Sequence, residues 1–421
     1  ISTNTSGIST NSTGIATNVT GIAANTSRIA TNVTGIATNT SAISTLNNKT
    51  LANFTSGARL LDSPSARNTA VGSAALDALT TENDNTAIGY AALSSEVSGF
   101  RNTAVGSGSG ANQNGGTNNT LLGYNAGSDI STGDANTFIG SDCGDATTTA
   151  SNNTAVGQAA LGANTTGTTN VAVGTSALTA NTTASNNTGI GYNALAANTT
   201  GAQNTAVGRL ALDASTTAND NTAIGNASMT ATTTGYDNTS VGSGSMRNNT
   251  TGSLNTAFGR DALQANTTAD TNNAFGRRAL YSNTTGSDNV ALGYLTLYLN
   301  TTGRYNTAVG NSALQSNTTG DTNTAVGFGS MNLNTTGYDN TAVGRNTLDA
   351  NTTGYANIAV GESALTSNTT GYRNVAIGQN ALLVCTTGVE NTAVGQLAGD
   401  AISTGGANTA IGQNALSACQ T

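Results

Sequence analysis

The chain has 421 residues, with no His, no Trp, one Pro and three Cys, and only 8% of its residues are charged and 4% aromatic. General acid and base catalysis most often uses His, and metal centres need clusters of His, Cys or carboxylate, so no catalytic, cofactor or metal site is expected and the chain does not read as an enzyme. A net charge of -8 spread thinly along the sequence offers no basic patch to nucleic acid or to an acidic membrane surface, and no apolar run reaches the length of about 18 residues that a membrane segment needs.

No signal peptide is recognisable, and from the opening Ile1 in place of Met a processed or partial chain is expected. The first stretch, residues 1–46, repeats every seven residues: Ile1, Ile8, Ile15, Ile22, Ile29, Ile36 and Ile43 recur at that spacing, with Asn three places after each of the first six. Ile at a and Asn at d define a coiled-coil register, and a strict seven-residue period implies left-handed supercoiling. Gly7, Gly14, Gly21, Gly35 and the many Thr are poor helix formers, so a 14-residue β-coil made of two heptads is the competing reading. Residues 47–66 read as a neck or connector.

From residue 67 to the end the period changes to 17. Asn begins each of 21 units, from Asn68 to Asn408, and Gly holds every fifth position, from Gly72 to Gly412. The fourth position is always apolar, as in Val71, Ile88 and Ile411, and the ninth is Leu or Met in 17 units, which predicts a buried column. A second turn signal, typically "NTTG" as at Asn164 to Gly167, closes the unit. This period is too short for helix-pair repeats and fits one turn of a β-solenoid, or β-roll, with a short strand, a Gly turn, a second short strand and a second turn. At the strand spacing of about 4.8 Å, the stack predicts a rod on the order of 100 Å long. Asn columns can pass amide hydrogen bonds from coil to coil, and the Gly column admits positive φ at the corner.

Four units carry Gly at the ninth position: Gly110, Gly127, Gly144 and Gly399. Two of these have a large third residue, Leu121 and Phe138, where Ala is usual, and two have Ile130 and Ile402 at the twelfth, where Asn is commonest. The third, ninth and twelfth positions are therefore expected to share one space. Each coil buries about two sizeable side chains, a small return against ordering a whole unit. The small Ala residues at the third and eighth positions then suggest close packing against another copy of the chain.

Candidate sites each have a structural reading beside a functional one. Asn164, Asn181, Asn198, Asn266, Asn283, Asn300, Asn317, Asn334, Asn351 and Asn368 head Asn-Thr-Thr sequons, so sugars could sit on an exposed corner, although Asn, Thr and Gly are also what a tight turn selects. Tyr338, Tyr355 and Tyr372 occupy one position in three consecutive coils and form either a glycan-contact stripe or an aromatic ladder that reinforces the stack. The Thr column after each leading Asn could bind ice or simply suit strand packing. Scattered Asp argues against a repeated calcium site, and no carboxylate pair suggests glycan cleavage. Cys385 and Cys419 lie two coils apart in one column, about 10 Å, too far for a disulfide within one chain.

The sequence resembles the trimeric autotransporter adhesins and the bacteriophage tail fibres that share their stalk and head units. The likeness rests on Ile at a with Asn at d, best in Asn4-Thr5 and Asn39-Thr40, and on "NTAIG" at Asn85 and Asn221 and "NVAIG" at Asn374, similar to the "NxxAIG" of the head repeats. It implies a homotrimer with an N-terminal coiled-coil stalk and a β-roll. It also implies chloride or a similar anion on the stalk axis between Asn4, Asn11, Asn18, Asn25, Asn32 and Asn39, with no other cofactor. The expected role is an adhesive fibre shaft, extracellular, on a virion or on a cell surface, whose partners are its own copies and a host or environmental receptor, glycans included. A glycosylated or glycan-binding extracellular filament protein is the alternative. No C-terminal segment looks like an outer-membrane anchor or a self-cleaving chaperone, and the heptads precede the roll, which favours a phage-type shaft.

Overall fold

The structure, a computed structural model, describes residues 1–55, 62–63, 66–80 and 84–418. The heptads form a single helix, α1 (Ser2–Thr55), so they are helical and not β-coils. The helix also runs past residue 46 into what the sequence suggested was neck. Thr is accommodated by donating its hydroxyl to the carbonyl four residues back, as Thr5 does to Ile1 at 3.0 Å and Thr40 to Ile36 at 2.8 Å. No described strand packs on α1, and its Ile residues from Ile8 to Ile43 stay 60–70% exposed.

Two short strands, β1 (Asp62–Ser63) and β2 (Ala66–Arg67), pair antiparallel. The roll follows, from β3 (Thr69–Val71) to β23 (Thr409–Ile411), as 21 three-residue strands separated by 17 residues. Each pairs in parallel with the strand one coil before and one coil after, and β3 and β23 are the two ends of a linear ladder. Register never slips: Thr69 faces Thr86 and Thr392 faces Thr409. The sequence reading of a parallel solenoid of 17-residue turns is therefore correct.

A second strand per coil is not found among the described residues. The far wall consists of two successive turns, as in Ala75 N–H to the Gly72 carbonyl and Leu79 N–H to that of Leu76, both 3.4 Å. The seventh and ninth residues are left-handed there, for example Ala74 at φ 58° and Leu76 at φ 50°. Alternating handedness turns successive amides up and down the rod. Ala91 N–H reaches back to Ser73 at 2.9 Å, and Leu76 N–H reaches forward to Ala92 at 3.1 Å. The wall is thus bonded along the axis without being a β-strand.

The fifth-position glycines are needed for space as well as for φ. At Gly72, φ is +131° and a Cβ would lie 2.3 Å from the carbonyl oxygen of Gly89, in the next coil.

The core holds the third, eighth and ninth columns. Ala70, Ala75 and Leu76 are sealed, as are their counterparts up the rod. The alanines expected to face another copy therefore face inward, because the strand alternates and only its middle residue points into the coil. The shared space predicted for the third, ninth and twelfth positions is present. A Cβ on Gly127 would fall 2.7 Å from Ile130 and 2.9 Å from Leu121, and one on Gly144 would fall 2.5 Å from the Phe138 ring. Those glycines also sit at φ near 60°, so they relieve backbone strain that Leu tolerates elsewhere in the column.

Candidate binding surfaces

Two internal asparagine columns dominate the polar chemistry. In the first, each leading Asn from Asn85 to Asn391 is buried and its Oδ1 accepts the backbone N–H of the Asn one coil on, as Asn306 does from Asn323 at 3.0 Å. Its Nδ2 donates to the turn carbonyl of its own coil, here Gly320 at 2.9 Å, and to the preceding Asn289 Oδ1 at 3.1 Å. Every polar atom of the amide is engaged, so burial carries no unpaired penalty.

The second column is the sequon set. Asn164, Asn181, Asn198, Asn266, Asn283, Asn300, Asn317, Asn334, Asn351 and Asn368 are all fully buried. Their Nδ2 atoms, where a sugar would be attached, donate inside the coil: Asn317 reaches Gly320 O at 3.0 Å and Asn300 Oδ1 at 2.8 Å. The expected exposed corner is therefore an internal ladder, and a glycan on any of these amides would break it. The ladder is interrupted between Asn198 and Asn249 by Ser215 and Thr232, and it stops at Cys385. At both stops the last oxygen, Asn198 Oδ1 and Asn368 Oδ1, is left without a partner.

Near the base of the same column sits Glu96, a buried carboxylate that sequence reading passed over. Oε1 accepts backbone N–H groups of Ser98 at 3.2 Å, Gly99 at 2.5 Å and Gly115 at 2.9 Å, while Oε2 accepts Gln113 Nε2 at 2.8 Å. The signal was available: Glu96 and Gln113 are 17 residues apart in a column of Asn. A fully bonded carboxylate inside one wall is a structural device with no room for a ligand.

The tyrosine stripe is a ladder. Tyr338 and Tyr355 stack with centroids 4.9 Å apart, and Tyr355 and Tyr372 at 4.8 Å, both pairs within 3° of parallel. Each ring covers its neighbour's face, and the Arg373 guanidinium lies 5.8 Å from the Tyr372 centroid. The faces between the three rings are taken up by stacking, while Tyr338 is 44% exposed. Phe258 and Phe275 stack in the same way at 5.1 Å.

Cys143 and Cys385 are buried free thiols, and Cys419 lies outside the described residues. Burial pushes the Cys143 thiol up to about 12 and also raises that of Cys385, which removes the thiolate that reactivity requires. Among the described residues no group of three or more His, Cys, Asp or Glu could hold a metal ion, and no helix is long and apolar enough to cross a membrane. A cleft of about 380 Å³ near the last coils is lined by Val384, Asp400, Ala401 and Ser403. On α1, Asn4, Asn11, Asn18, Asn25, Asn32 and Asn39 are exposed on the single helix.

What the roll does display is its sheet face. The second and fourth residues of each unit, the first and last of its strand, point outward, and the fourth is apolar throughout: Ile88 is 39% exposed, Leu122 45% and Phe258 38%. No family model matches the chain, and no curated protein matches it either.

Proposed function

We propose that the chain is the shaft of a homotrimeric adhesive fibre, extracellular, on a virion or on a cell surface, that extends and attaches rather than catalyses. The observation that carries this reading is α1. It is a helix of 54 residues whose Ile residues, seven apart, form an exposed stripe on which no described strand packs. A helix rich in Thr and Gly with an unpartnered apolar seam is not stable alone, and a seam of that period is what parallel coiled-coil partners cover. Asn at d would then place three amides around the axis at each layer, a setting for chloride or a similar anion. The roll supports the mechanical part: each added unit lengthens a rod by one strand spacing with no new fold. A terminal or neighbouring receptor-binding element fits this role, with host or environmental surfaces as the partner.

Native mass tests the assembly. A value of about 124 kDa, three times the 41.4 kDa chain, is expected, and a particle of one chain would overturn it.

A further inference from the structure

We propose that the wall following the Gly corner carries, on the coils of residues 238–305, a binding site for an anionic polysaccharide whose charges are carboxylates. The proposal rests on the attachment reading above and names the class of surface partner, and it holds for any number of chains.

Three observations carry it. First, the fold gathers charge that the sequence disperses. Arg247, Arg260, Arg277 and Arg278 come from three consecutive coils and take the sixth, seventh and tenth positions of the repeat, and Asp261 is the one carboxylate at the sixth to tenth positions of residues 238–305. The same positions in the coils on either side, 226–230 and 311–315, hold no charge, so the surplus is local on a chain whose net charge is -8. The expected lack of a basic patch describes the linear sequence and not this wall.

Second, these arginines break the pairing found elsewhere. At three other places an Arg meets a carboxylate one coil along: Arg67 and Asp84, Arg345 and Glu362, Arg373 and Glu390. Here the residue one coil beyond Arg260 is Arg277, and like charges at the strand spacing of about 4.8 Å repel unless an anion lies between them. Asp261 is shared by Arg260 at 3.4 Å and Arg278 at 3.7 Å, and among the described residues no carboxylate pairs with Arg247 or Arg277. The Nε of Arg278 is buried with no hydrogen-bond partner.

Third, aromatic rings hold the guanidinium groups in place. Arg278 lies 5.6 Å from the Tyr281 centroid, Tyr281 stacks on Tyr298 at 5.2 Å, and Arg277 lies 5.9 Å from the centroid of the exposed Tyr294. A guanidinium already held loses less freedom when its planar fork closes on a carboxylate in two parallel bonds. The ring of Tyr294 gives the apolar C–H face of a sugar a surface to lie on. A nucleic acid fits less well, because its phosphates would run on beyond the patch past Asp213 on one side and Asp349 on the other.

Binding of the full chain to immobilised hyaluronate, which carries a carboxylate on alternate sugars, is measured at low salt beside neutral dextran and single-stranded oligo-dT. Hyaluronate should bind best, the double variant Arg260→Gln with Arg277→Gln should weaken it about tenfold or more, and Arg209→Gln, the same loss of charge outside the patch, should leave it unchanged. Absence of hyaluronate binding, equal affinity for dextran or oligo-dT, or a double variant that binds like the parent would overturn the site. Native mass measured on the same sample separates the readings. Three-chain mass without binding leaves the fibre standing and removes the site, and one-chain mass with arginine-dependent binding does the reverse. If the double variant fails to fold, Arg277→Gln alone replaces it, with a loss of about threefold expected and no loss overturning the site.

Discussion

A single asparagine shows how this roll is held. Asn306 satisfies Asn323 N–H, Gly320 O and Asn289 Oδ1 with one amide, so Asn306→Ala leaves a buried donor and acceptor unpaired. It should cost about 2–4 kcal/mol in chemical unfolding, while Ser215→Asn, which gives Asn198 Oδ1 its missing donor, should gain about 1 kcal/mol. If both changes were neutral, the ladder would not be what stabilises the coil. Titration supplies a second test. Burial raises the carboxyls of Asp145, Asp213 and Asp349 above the ordinary range, while the hydrogen bonds from Arg67 lower that of exposed Asp84. A raised carboxyl keeps its proton in the folded state where the unfolded chain has lost it, so its contribution is fully present below the unfolded value and fades as pH rises through the folded one. The Asp84 contribution runs the other way and, being a surface pair, is small. The melting temperature should therefore hold or rise between pH 7 and pH 4, and a clear fall would contradict this. By the same sign, protonated Cys143 favours folding below its unfolded value, and stability declines as pH climbs from about 9 toward 12.

At the scale of the element, the coil is a set of coupled columns. Phe138→Ala should cost about 3–5 kcal/mol by opening a cavity, and Gly144→Leu alone should clash with the Phe138 ring. Together they restore the common pairing of Ala at the third position with Leu at the ninth, and most of the loss should be recovered, a coupling of roughly 2–3 kcal/mol in a double-mutant cycle. Additive losses would show that the two positions do not share space. This compensation was legible in the sequence because volume leaves a trace in residue size, and so was the period, because stacking demands identical residues at identical places. The second wall was not legible as it stands. Leu76 and Ala74 look like strand residues, and nothing in their chemistry announces a left-handed φ of 50–58°. The sequons misled for a related reason. Asn, Thr and Gly suit an exposed corner and an inward amide ladder alike, and only the column's unbroken neighbours decide between them. Likewise Ala70 and Ala75 carry no mark of facing inward, whereas the outward apolar column at Val71 and Ile88 reads as core until the strand's alternation is known. The helix end at Thr55 lay beyond the last heptad Ile, so the periodic signal stopped before the helix did.

For the whole molecule, repetition explains the composition. A rod whose coils each use Asn ladders, a Gly corner and small inward alanines needs few aromatic or charged residues, which is why the chain holds 52 Gly and no Trp. Among the described residues no group of three or more His, Cys, Asp or Glu could hold a metal ion, and the Ile stripe of α1 and the apolar column of the sheet are the exposed apolar seams. Imaging the full chain in vitreous ice and averaging cross-sections of the roll tests the fibre most directly. Three parallel solenoids around one axis, with an axial repeat of about 4.8 Å, are the expected result. An isolated single solenoid in every particle would contradict the trimeric fibre.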